Sequence, residues 1–394
     1  MNILFDCISL QKFIGGGSEY TYFFFNKLLE RAKNNEIKLY GVYSSNLRLD
    51  FYEKFIGDFK IKLVDIEKSQ LRDFIQKNKI NTFFIGIAQR YYTYDLTNLP
   101  CRIVIVCHDV SELVLLYDKN FTSMARKKLE PIAHPRIQQI KEFIKYFIHF
   151  FIEKKYIKSI YEKHKNLEKL LQEKNVFVVT VSNYSKYSLL YYFNNIANPI
   201  RVYTPPHKIS NEIGQYKPEN TVLKHLVESK KKFFLLVSCT RFHKNAAIFV
   251  EQWKKFCQIT NNMYYGVLLG DVQVKEENII TLPFLSGDDL EYAYQNSFCL
   301  VFASVAEGYG SPPMEAMKYS IPIVCSNVTS MPEIYGSSLV YFSPYYPEDL
   351  FRALLFIIEH YEEYKEKSKE KYNEILQKQL LDSKKLEDFI MYGN

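Results

Sequence analysis

Residues 303–315 read Ala-Ser-Val-Ala-Glu-Gly-Tyr-Gly-Ser-Pro-Pro-Met-Glu, which places Glu307 and Glu315 eight residues apart. The apolar run Cys299–Phe302 before this stretch is typical of a buried parallel strand. The run that starts at Glu315 is typical of the opening of a helix. The sequence therefore predicts a strand-to-helix loop at residues 303–315.

This loop has the composition of a binding loop. Gly308 and Gly310 would let backbone N–H groups approach a ligand, and the positive end of the following helix would favour a phosphate. A carboxylate at each end would hold sugar hydroxyls. Two spaced glutamates also occur on solvated helices, but the glycines, the prolines and the preceding strand argue against that reading.

Outward from this loop, short apolar runs alternate with helical patterns, which is the arrangement of repeated βαβ units. At 394 residues the chain is too long for one ordinary core. The sequence predicts two doubly wound α/β domains. In the first half the expected strands are Asn2–Cys7, Ile37–Tyr43, Thr82–Ile87, Arg102–Cys107 and Val176–Val181. In the second half they are Phe233–Val237, Tyr264–Gly270, Asn278–Leu282, Cys299–Phe302, Pro322–Cys325 and Leu339–Phe342.

The domain boundary is expected in residues 199–218, where Pro205 and Pro206 and few apolar positions favour a linker. The predicted domains are 1–205 and 206–375. Residues 376–394 form a last, charged helix. Open parallel sheets bind ligands beyond the carboxyl ends of their strands, so two facing domains would enclose a cleft.

The stretch from Ser304 to Pro332 resembles the donor-binding motif of the retaining, family-four glycosyltransferases (glycosyl transferases group 1) of the GT-B type. The resemblance implies two Rossmann-like domains that face a cleft, with the last helix crossing back to the first. It implies a nucleotide diphosphate sugar as donor, with Glu307 near the reacting carbon of the sugar and Glu315 on the ribose. Gly308, Tyr309, Gly310 and Ser311 would complete the donor site.

A glycine-rich stretch follows the first predicted strand and precedes a helical pattern. Three glycines, Gly15 to Gly17, would let the backbone pass close to phosphates. A flexible surface turn is the alternative reading of a triple glycine. The spacing from Asp6 through the glycines to Tyr20 is similar to the opening pattern of the family, which favours Gly16 and Gly17 as donor-binding residues.

His108 and Asp109 directly follow the strand Arg102–Cys107. Asp109 fits the start of the next helix, while His108 would donate to a sugar hydroxyl or ring-adjacent oxygen. In the resembled family the matching histidine contacts the donor sugar. Ser182 opens a Ser-x-x-Ser helix start, where a serine acts mainly as an N-cap.

Two basic residues follow the strand Phe233–Val237. Lys244 and Arg241 would neutralise a diphosphate leaving group in place of a metal ion, although an exposed basic loop is an equal alternative when seen alone. Lys244-Asn245 matches the Lys-Asn step of the family. Ser238 stands where the family usually has glycine.

No Asp-x-Asp pair and no Cys/His cluster with metal spacing is present, so neither a metal nor another cofactor is expected. The seven cysteines are scattered and read as buried thiols. No signal segment and no run of eighteen apolar residues occurs, which predicts a cytoplasmic chain.

The formal net charge of +7 is concentrated in residues 119–174, where 14 Lys and Arg face 6 Glu. Within this predicted helical insertion, apolar residues recur at helical steps from Ile140 to Ile152, with lysines on other faces. Packing of the apolar stripe on the first domain is one reading. Peripheral binding to an anionic membrane surface is the other.

The sequence thus predicts a metal-independent, retaining glycosyltransferase. It would move a hexose, mannose-like by family analogy, from a nucleotide diphosphate sugar to a lipid-linked or protein-linked glycan in surface polysaccharide or glycoconjugate synthesis. Two alternatives are a nucleotide-sugar 2-epimerase of the same fold and a non-enzymatic basic protein that binds membranes or polyanions. The intact set of donor loops argues against the last as the whole function, and no nucleic-acid partner is expected.

Overall fold

The computed structural model describes residues 1–11, 15–48, 59–68, 71–116, 158–206, 214–285 and 287–393. The described chain divides into two compact units. Unit 1 contains residues 1–113, 158–206 and 378–393, and unit 2 contains residues 214–377 with the short piece 114–116.

Unit 1 is built on a seven-stranded parallel sheet in the order β3-β2-β1-β4-β5-β6-β7. The strand order reverses between β1 and β4, so the loops that follow these two strands diverge there and leave a crevice at the carboxyl edge. The strands are β1 Asn2–Asp6, β2 Lys38–Tyr43, β3 Lys62–Asp65, β4 Thr82–Ile85, β5 Arg102–Val106, β6 Val176–Thr180 and β7 Arg201–Val202.

Helices and short 3-10 turns connect these strands, as parallel pairing requires. The helices are α1 Ile8–Gln11, α2 Gly16–Lys33, α3 Leu71–Lys77, α4 Ser111–Leu116, α5 at 158–171 and α6 Asn183–Tyr192. The apolar face of α2 buries Tyr20, Phe24, Phe25 and Leu28 against β1 and β4. This packing fixes the start of α2 above the crevice.

Unit 2 is built on a six-stranded parallel sheet in the order β10-β9-β8-β11-β12-β13. Here the order reverses between β8 and β11. The strands are β8 Lys232–Leu236, β9 Tyr264–Leu269, β10 Ile279–Leu282, β11 Cys299–Phe302, β12 Ile323–Ser326 and β13 Val340–Phe342. The helices are α7 Thr221–Glu228, α8 Ala246–Ile259, α9 Gly287–Asn296, α10 Ser311–Met317, α11 Met331–Tyr335, α12 Pro347–Glu359 and α13 Tyr361–Tyr392.

The C-terminal end of α13 belongs to unit 1. Phe389 and Ile390 are fully buried in the same core as β1 and α2, and the guanidinium of Arg201 lies 4.0 Å from the centre of the Phe389 ring. Asp382 accepts a hydrogen bond from the backbone of Thr204 at 2.9 Å. Among the described residues, none of the helices combines the length and apolar character that a membrane crossing demands.

The predicted fold class, two Rossmann-like doubly wound α/β domains, is confirmed by both sheets. All eleven predicted strands form, within one residue or two of the expected bounds. The sequence reading missed β3 and β7, which are both short. Strand β7 also lies inside the predicted linker. The facing cleft stays a prediction, and the apolar stripe 140–152 lies outside the described residues.

Two helix starts differ from the prediction. The helix of the 303–315 stretch begins at Ser311, not at Glu315, because Pro312 and Pro313 fit a first helical turn, where no backbone N–H is needed. Helix α2 begins at Gly16, so the predicted glycine loop contributes its last two glycines to the first helical turn. The seven cysteines are buried and unpaired, as expected.

Candidate functional site

The crevice of unit 2 is formed by the loops that follow β8 and β11. The backbone N–H of Val305 donates to the carbonyl of His243 at 2.8 Å, which holds the two loops together. This bond places the basic residues of the first loop beside the acidic residue of the second.

Lys244 and Glu307 form an ion pair at this point, with Nζ and Oε1 2.5 Å apart. Their side chains are 9% and 15% exposed. Ser304 Oγ donates to the same Oε1 at 2.6 Å. Within the described chain, no group donates to Oε2 of Glu307, so that oxygen is available to a ligand. The Lys244 ammonium carries three donors, and two remain beyond its bond to Glu307.

Glu307 is ionised in this setting. Burial raises the pKa of its carboxyl, but the charge of Lys244 and the hydrogen bonds from Lys244 and Ser304 outweigh burial and lower the pKa below 4.5. The Lys244 ammonium also lies 4.7 Å from the centre of the Phe302 ring, whose face attracts a cation. The site thus holds the Glu307 carboxylate ionised at neutral pH.

The backbone of the Glu307 loop is fixed by the next loop of the sheet. Thr329 Oγ1 accepts from the N–H of Glu307 at 3.2 Å, and Ser330 Oγ donates to its carbonyl at 3.0 Å. Gly310 has a φ of 73°, a left-handed conformation that favours glycine, and its carbonyl accepts from Tyr335 at 2.6 Å. The loops that follow the three neighbouring strands β8, β11 and β12 therefore fix the position of Glu307.

The other predicted donor residues of unit 2 surround this pair with differing exposure. Gly308 and Tyr309 are buried, Ser311 starts α10, and Glu315 is half-buried on the same helix. The phenol of Tyr294 donates a hydrogen bond to Glu315. Burial is the larger cause that raises the pKa of Tyr294, and the Glu315 carboxylate raises it further.

Arg241 is exposed, and among the described residues it has no ion-pair partner. Ser238 lies three residues before Arg241. Its φ of 58° is a left-handed conformation, which explains why glycine suits this position. The same left-handed conformation occurs at Asn245, with φ 51°, directly before α8. Ser238 and Asn245 therefore lie at the two ends of the basic loop, both in the left-handed conformation.

In unit 1 the crevice is organised around the buried carboxylate of Asp6, at the end of β1. It accepts from the backbone of Ser9 at 3.0 Å, from the backbone of Gly86 at 3.2 Å and from the Tyr91 hydroxyl at 2.8 Å. Burial raises the pKa of Asp6 and these donors oppose the rise. Asp6 thereby ties the loop after β1 to the loop after β4.

His108 lies over this crevice next to the first turn of α2. Its Nε2 is 3.0 Å from the Gly86 carbonyl, and its ring packs edge-on against Tyr20 with centres 4.9 Å apart. A Cβ added to Gly17 would lie 3.7 Å from Nε2. Gly17 and His108 are therefore neighbours in unit 1. Burial lowers the pKa of His108 below 6.5, so the ring is neutral at pH 7.

The backbone around His108 is held by two helix starts. Asp109 accepts from the N–H of Ser111, the first residue of α4, at 2.9 Å. Ser182 caps α6 by accepting from the N–H of Ser185 at 3.1 Å. Ser185 Oγ donates to the His108 carbonyl at 2.8 Å. The Ser-x-x-Ser pair thus positions His108 as well as capping a helix.

Several residues of both crevices were missed by the sequence reading. Gly86, Thr329 and Ser330 act through hydrogen bonds to distant loops, and only the strand order shows which loops are adjacent. Ser185 was predicted as part of a helix start, but its bond to His108 was not. Asp6 appeared only as part of a spacing pattern. Among the described residues, no group of three or more His, Cys, Asp or Glu side chains is arranged to hold a metal ion.

Residues 219–374 match the family model of the glycosyl transferases group 1. The O-antigen chain mannosyltransferase B of Escherichia coli is 25% identical over 177 residues, which cover 41% of this chain and 46% of that protein. The serotype-specific mannosyltransferase WbdA of Escherichia coli is 36% identical over 81 residues, 21% of this chain and 10% of that protein. The chain thus spans less than half the length of these relatives.

Two solved structures share the fold over nearly their whole length. A glycosyltransferase from Rickettsia africae has a TM-score of 0.61 at 15% identity and covers 100% of this chain and 99% of its own. HepE from Anabaena, solved with UDP and glucose, has a TM-score of 0.64 at 12% identity and covers 98% and 99%. This likeness shows that the chain has the GT-B fold, and the match to the glycosyl transferases group 1 covers residues 219–374.

Proposed function

We propose that this chain is a retaining hexosyltransferase that uses a nucleotide diphosphate sugar to extend a glycan in surface polysaccharide synthesis. The observation that carries the proposal is the Lys244–Glu307 ion pair at the strand-order reversal of unit 2. Open α/β sheets bind nucleotides at this position. The mannosyltransferases among the relatives support a mannose-type donor sugar.

In the proposed reaction, unit 2 binds the donor. Glu307 Oε2 accepts from a hydroxyl of the donor sugar, while Oε1 stays with Lys244 and Ser304. The free donors of Lys244, together with the exposed guanidinium of Arg241, bind the diphosphate. Glu315 binds the ribose.

The bond changes follow a front-face displacement. The acceptor oxygen forms a bond to the anomeric carbon on the face from which the diphosphate oxygen departs, so the configuration is retained. The acceptor proton passes to the departing phosphate oxygen, and the bond electrons stay with the diphosphate. Lys244 and Arg241 stabilise the charge that develops on this leaving group, a role a metal ion fills elsewhere.

The residues of unit 1 act on the acceptor side in this proposal. In neutral His108 the single N–H lies on Nε2 and donates to the Gly86 carbonyl, so Nδ1 accepts a hydrogen bond from a sugar hydroxyl, while Ser185 holds the backbone carbonyl of His108. Gly16 and Gly17 form the start of α2, an eighteen-residue helix whose positive end favours a phosphate group. The acceptor is a glycan, lipid-linked or protein-linked.

A panel of nucleotide sugars tests the donor site. A true donor at 100 times its dissociation constant should stabilise the fold by about 2.7 kcal/mol, seen as a rise in Tm. Turnover of that donor with a glycan acceptor, followed by NMR of the product anomer, should show retention. Isomerisation of the donor without transfer would instead indicate a 2-epimerase, and no thermal shift with any nucleotide sugar would contradict the proposal.

The same assay in excess EDTA tests the metal-independent mechanism. We expect full activity, because Lys244 and Arg241 supply the charge that stabilises the diphosphate. Loss of activity with EDTA, restored by magnesium or manganese, would contradict this part of the proposal.

A further inference from the structure

Helix α6 carries a stripe of three tyrosines, and two of them are exposed to solvent. Tyr184, Tyr187 and Tyr191 recur at steps of three and four residues and therefore share one helix face. Tyr187 is 62% exposed and Tyr191 is 80% exposed. The opposite face buries Ser185 and Leu189 against the sheet. Single exposed aromatic residues need no explanation, but a row of them marks an interaction surface.

This tyrosine stripe starts at the proposed acceptor side of the site. Ser185, in the first turn of α6, donates to the His108 carbonyl at 2.8 Å. Burial raises the pKa of its neighbour Tyr184, and the adjacent Asp109 carboxylate raises it further. The stripe therefore runs outward from the His108–Asp109 loop along the length of α6.

We propose that Tyr184, Tyr187 and Tyr191 form a track that binds the acceptor glycan one or more sugars back from its reacting end. The inference rests on the proposed function. The hydroxyl to be glycosylated would lie at His108, and the sugars behind it would stack on the tyrosine rings. From Tyr184 to Tyr191 the helix rises about 10 Å, which is longer than one pyranose ring.

The chemistry of the stripe favours a glycan over a bilayer. Tyrosine combines an apolar ring, which packs on the C–H face of a sugar, with a hydroxyl that hydrogen-bonds sugar oxygens. Lys186 is the only charged side chain in α6, and its ammonium lies 5.8 Å from the Tyr187 ring. A membrane-surface helix would instead carry several basic residues around a wider apolar face.

The experiment compares the wild-type chain with the Tyr187→Ala/Tyr191→Ala double variant. Calorimetry measures binding of mannose, glucose and galactose oligosaccharides of one to six residues. We expect the wild type to bind at least one hexasaccharide about tenfold more tightly than its monosaccharide, from two stacking contacts. The double variant should lose this gain. Tyr392→Ala, which removes a tyrosine that is 64% exposed elsewhere on unit 1, should keep it.

Three outcomes would overturn the track. The first is a wild type whose affinity does not rise with oligosaccharide length, and the second is a rise in affinity that survives in the double variant. The third is a double variant that loses binding to phosphatidylglycerol vesicles, or loses dimerisation, while its glycan binding is unchanged. The thermal shift by the nucleotide sugar is measured on the same samples. A normal donor shift with no glycan gain refutes the track alone, while a missing donor shift refutes the proposed function.

Discussion

Lys244 Nζ lies 2.5 Å from Glu307 Oε1, although the two residues are 63 positions apart in the chain. The contact exists because β8 and β11 are adjacent in the sheet, so the loops that follow them meet at one crevice. Charges that the fold holds in place need little reorganisation when charge develops on a leaving group.

Glu307→Gln and Lys244→Ala should each lower kcat/KM by about 100-fold to 1,000-fold, since each removes a group that stabilises the transition state. The double variant should lose less than the product of the two single losses, because the residues act as one unit. Steady-state kinetics with the donor from the nucleotide-sugar panel measures this. Exposed Glu348→Gln and Lys254→Ala serve as controls and should retain activity. Wild-type rates in both site variants would exclude the assignment.

The same pair predicts a pH-dependent stability. The pKa of Glu307 in the folded chain lies below 4.5, so the stability from its ionised form is present above pH 4.5 and is lost as the pH falls through the folded pKa. At pH 7, Glu307→Gln should lower the free energy of unfolding by about 3 kcal/mol, because it leaves the Lys244 charge buried and unpaired.

Urea unfolding of both proteins at pH 7 and at pH 4 measures this difference. It should be large at pH 7 and shrink at pH 4. A difference that stays constant between the two pH values would show that the ion pair contributes no net stability.

The sequence predicts a site residue when the signal lies close to it in the chain, and it misses residues whose contacts join distant parts of the chain. His108 could be singled out because it directly follows an apolar strand, and Lys244 and Glu307 because they lie in the loops after two other apolar strands. Gly86 could not be singled out, because its role depends on Asp6, eighty residues earlier, and on the pairing of β1 with β4. The start of α10 was misplaced because apolar periodicity marks buried positions, while prolines set the first turn.

His108 should control the acid side of the pH profile. Burial lowers its pKa below 6.5, so the ring is neutral at pH 7 and gains a proton only at a more acidic pH. Protonation disturbs the hydrogen bonding of the ring, so kcat/KM should fall as the pH drops below that pKa. His108→Asn should remove this limb and lower activity at pH 7.5 by about 100-fold. The exposed His225→Asn is the control. An acid limb that persists unchanged in His108→Asn would assign it to another group.

Gly86→Ala should destabilise unit 1. The new Cβ would lie 2.8 Å from the Cβ of Thr21, a buried residue whose Oγ1 donates to the Gly17 carbonyl at 2.9 Å. Relieving this contact requires movement of the first turn of α2. We expect a cost of about 1 to 3 kcal/mol and a fall in Tm of about 5 °C.

Gly214→Ala is the matched control for this substitution, since its Cβ would come no closer than 3.4 Å to the Tyr216 ring. Differential scanning calorimetry compares the two variants with the wild type. Identical unfolding temperatures for all three would mean that α2 moves aside without cost.

Membrane association of the basic region 119–174 is a proposal that rests on sequence, since most of the region lies outside the described residues. Each basic residue near an anionic surface contributes about 1 kcal/mol of binding. Reversal of charge at Lys154, Lys155 and Lys158 should therefore release the protein from phosphatidylglycerol liposomes at physiological salt, measured by co-flotation. Reversal at Lys230, Lys231 and Lys232, three exposed lysines of unit 2, makes the same change in net charge and should leave binding intact. Equal release by both triple variants would show that binding depends on net charge and not on this region. A wild-type protein that fails to bind these liposomes at low salt would show that the region has no membrane role.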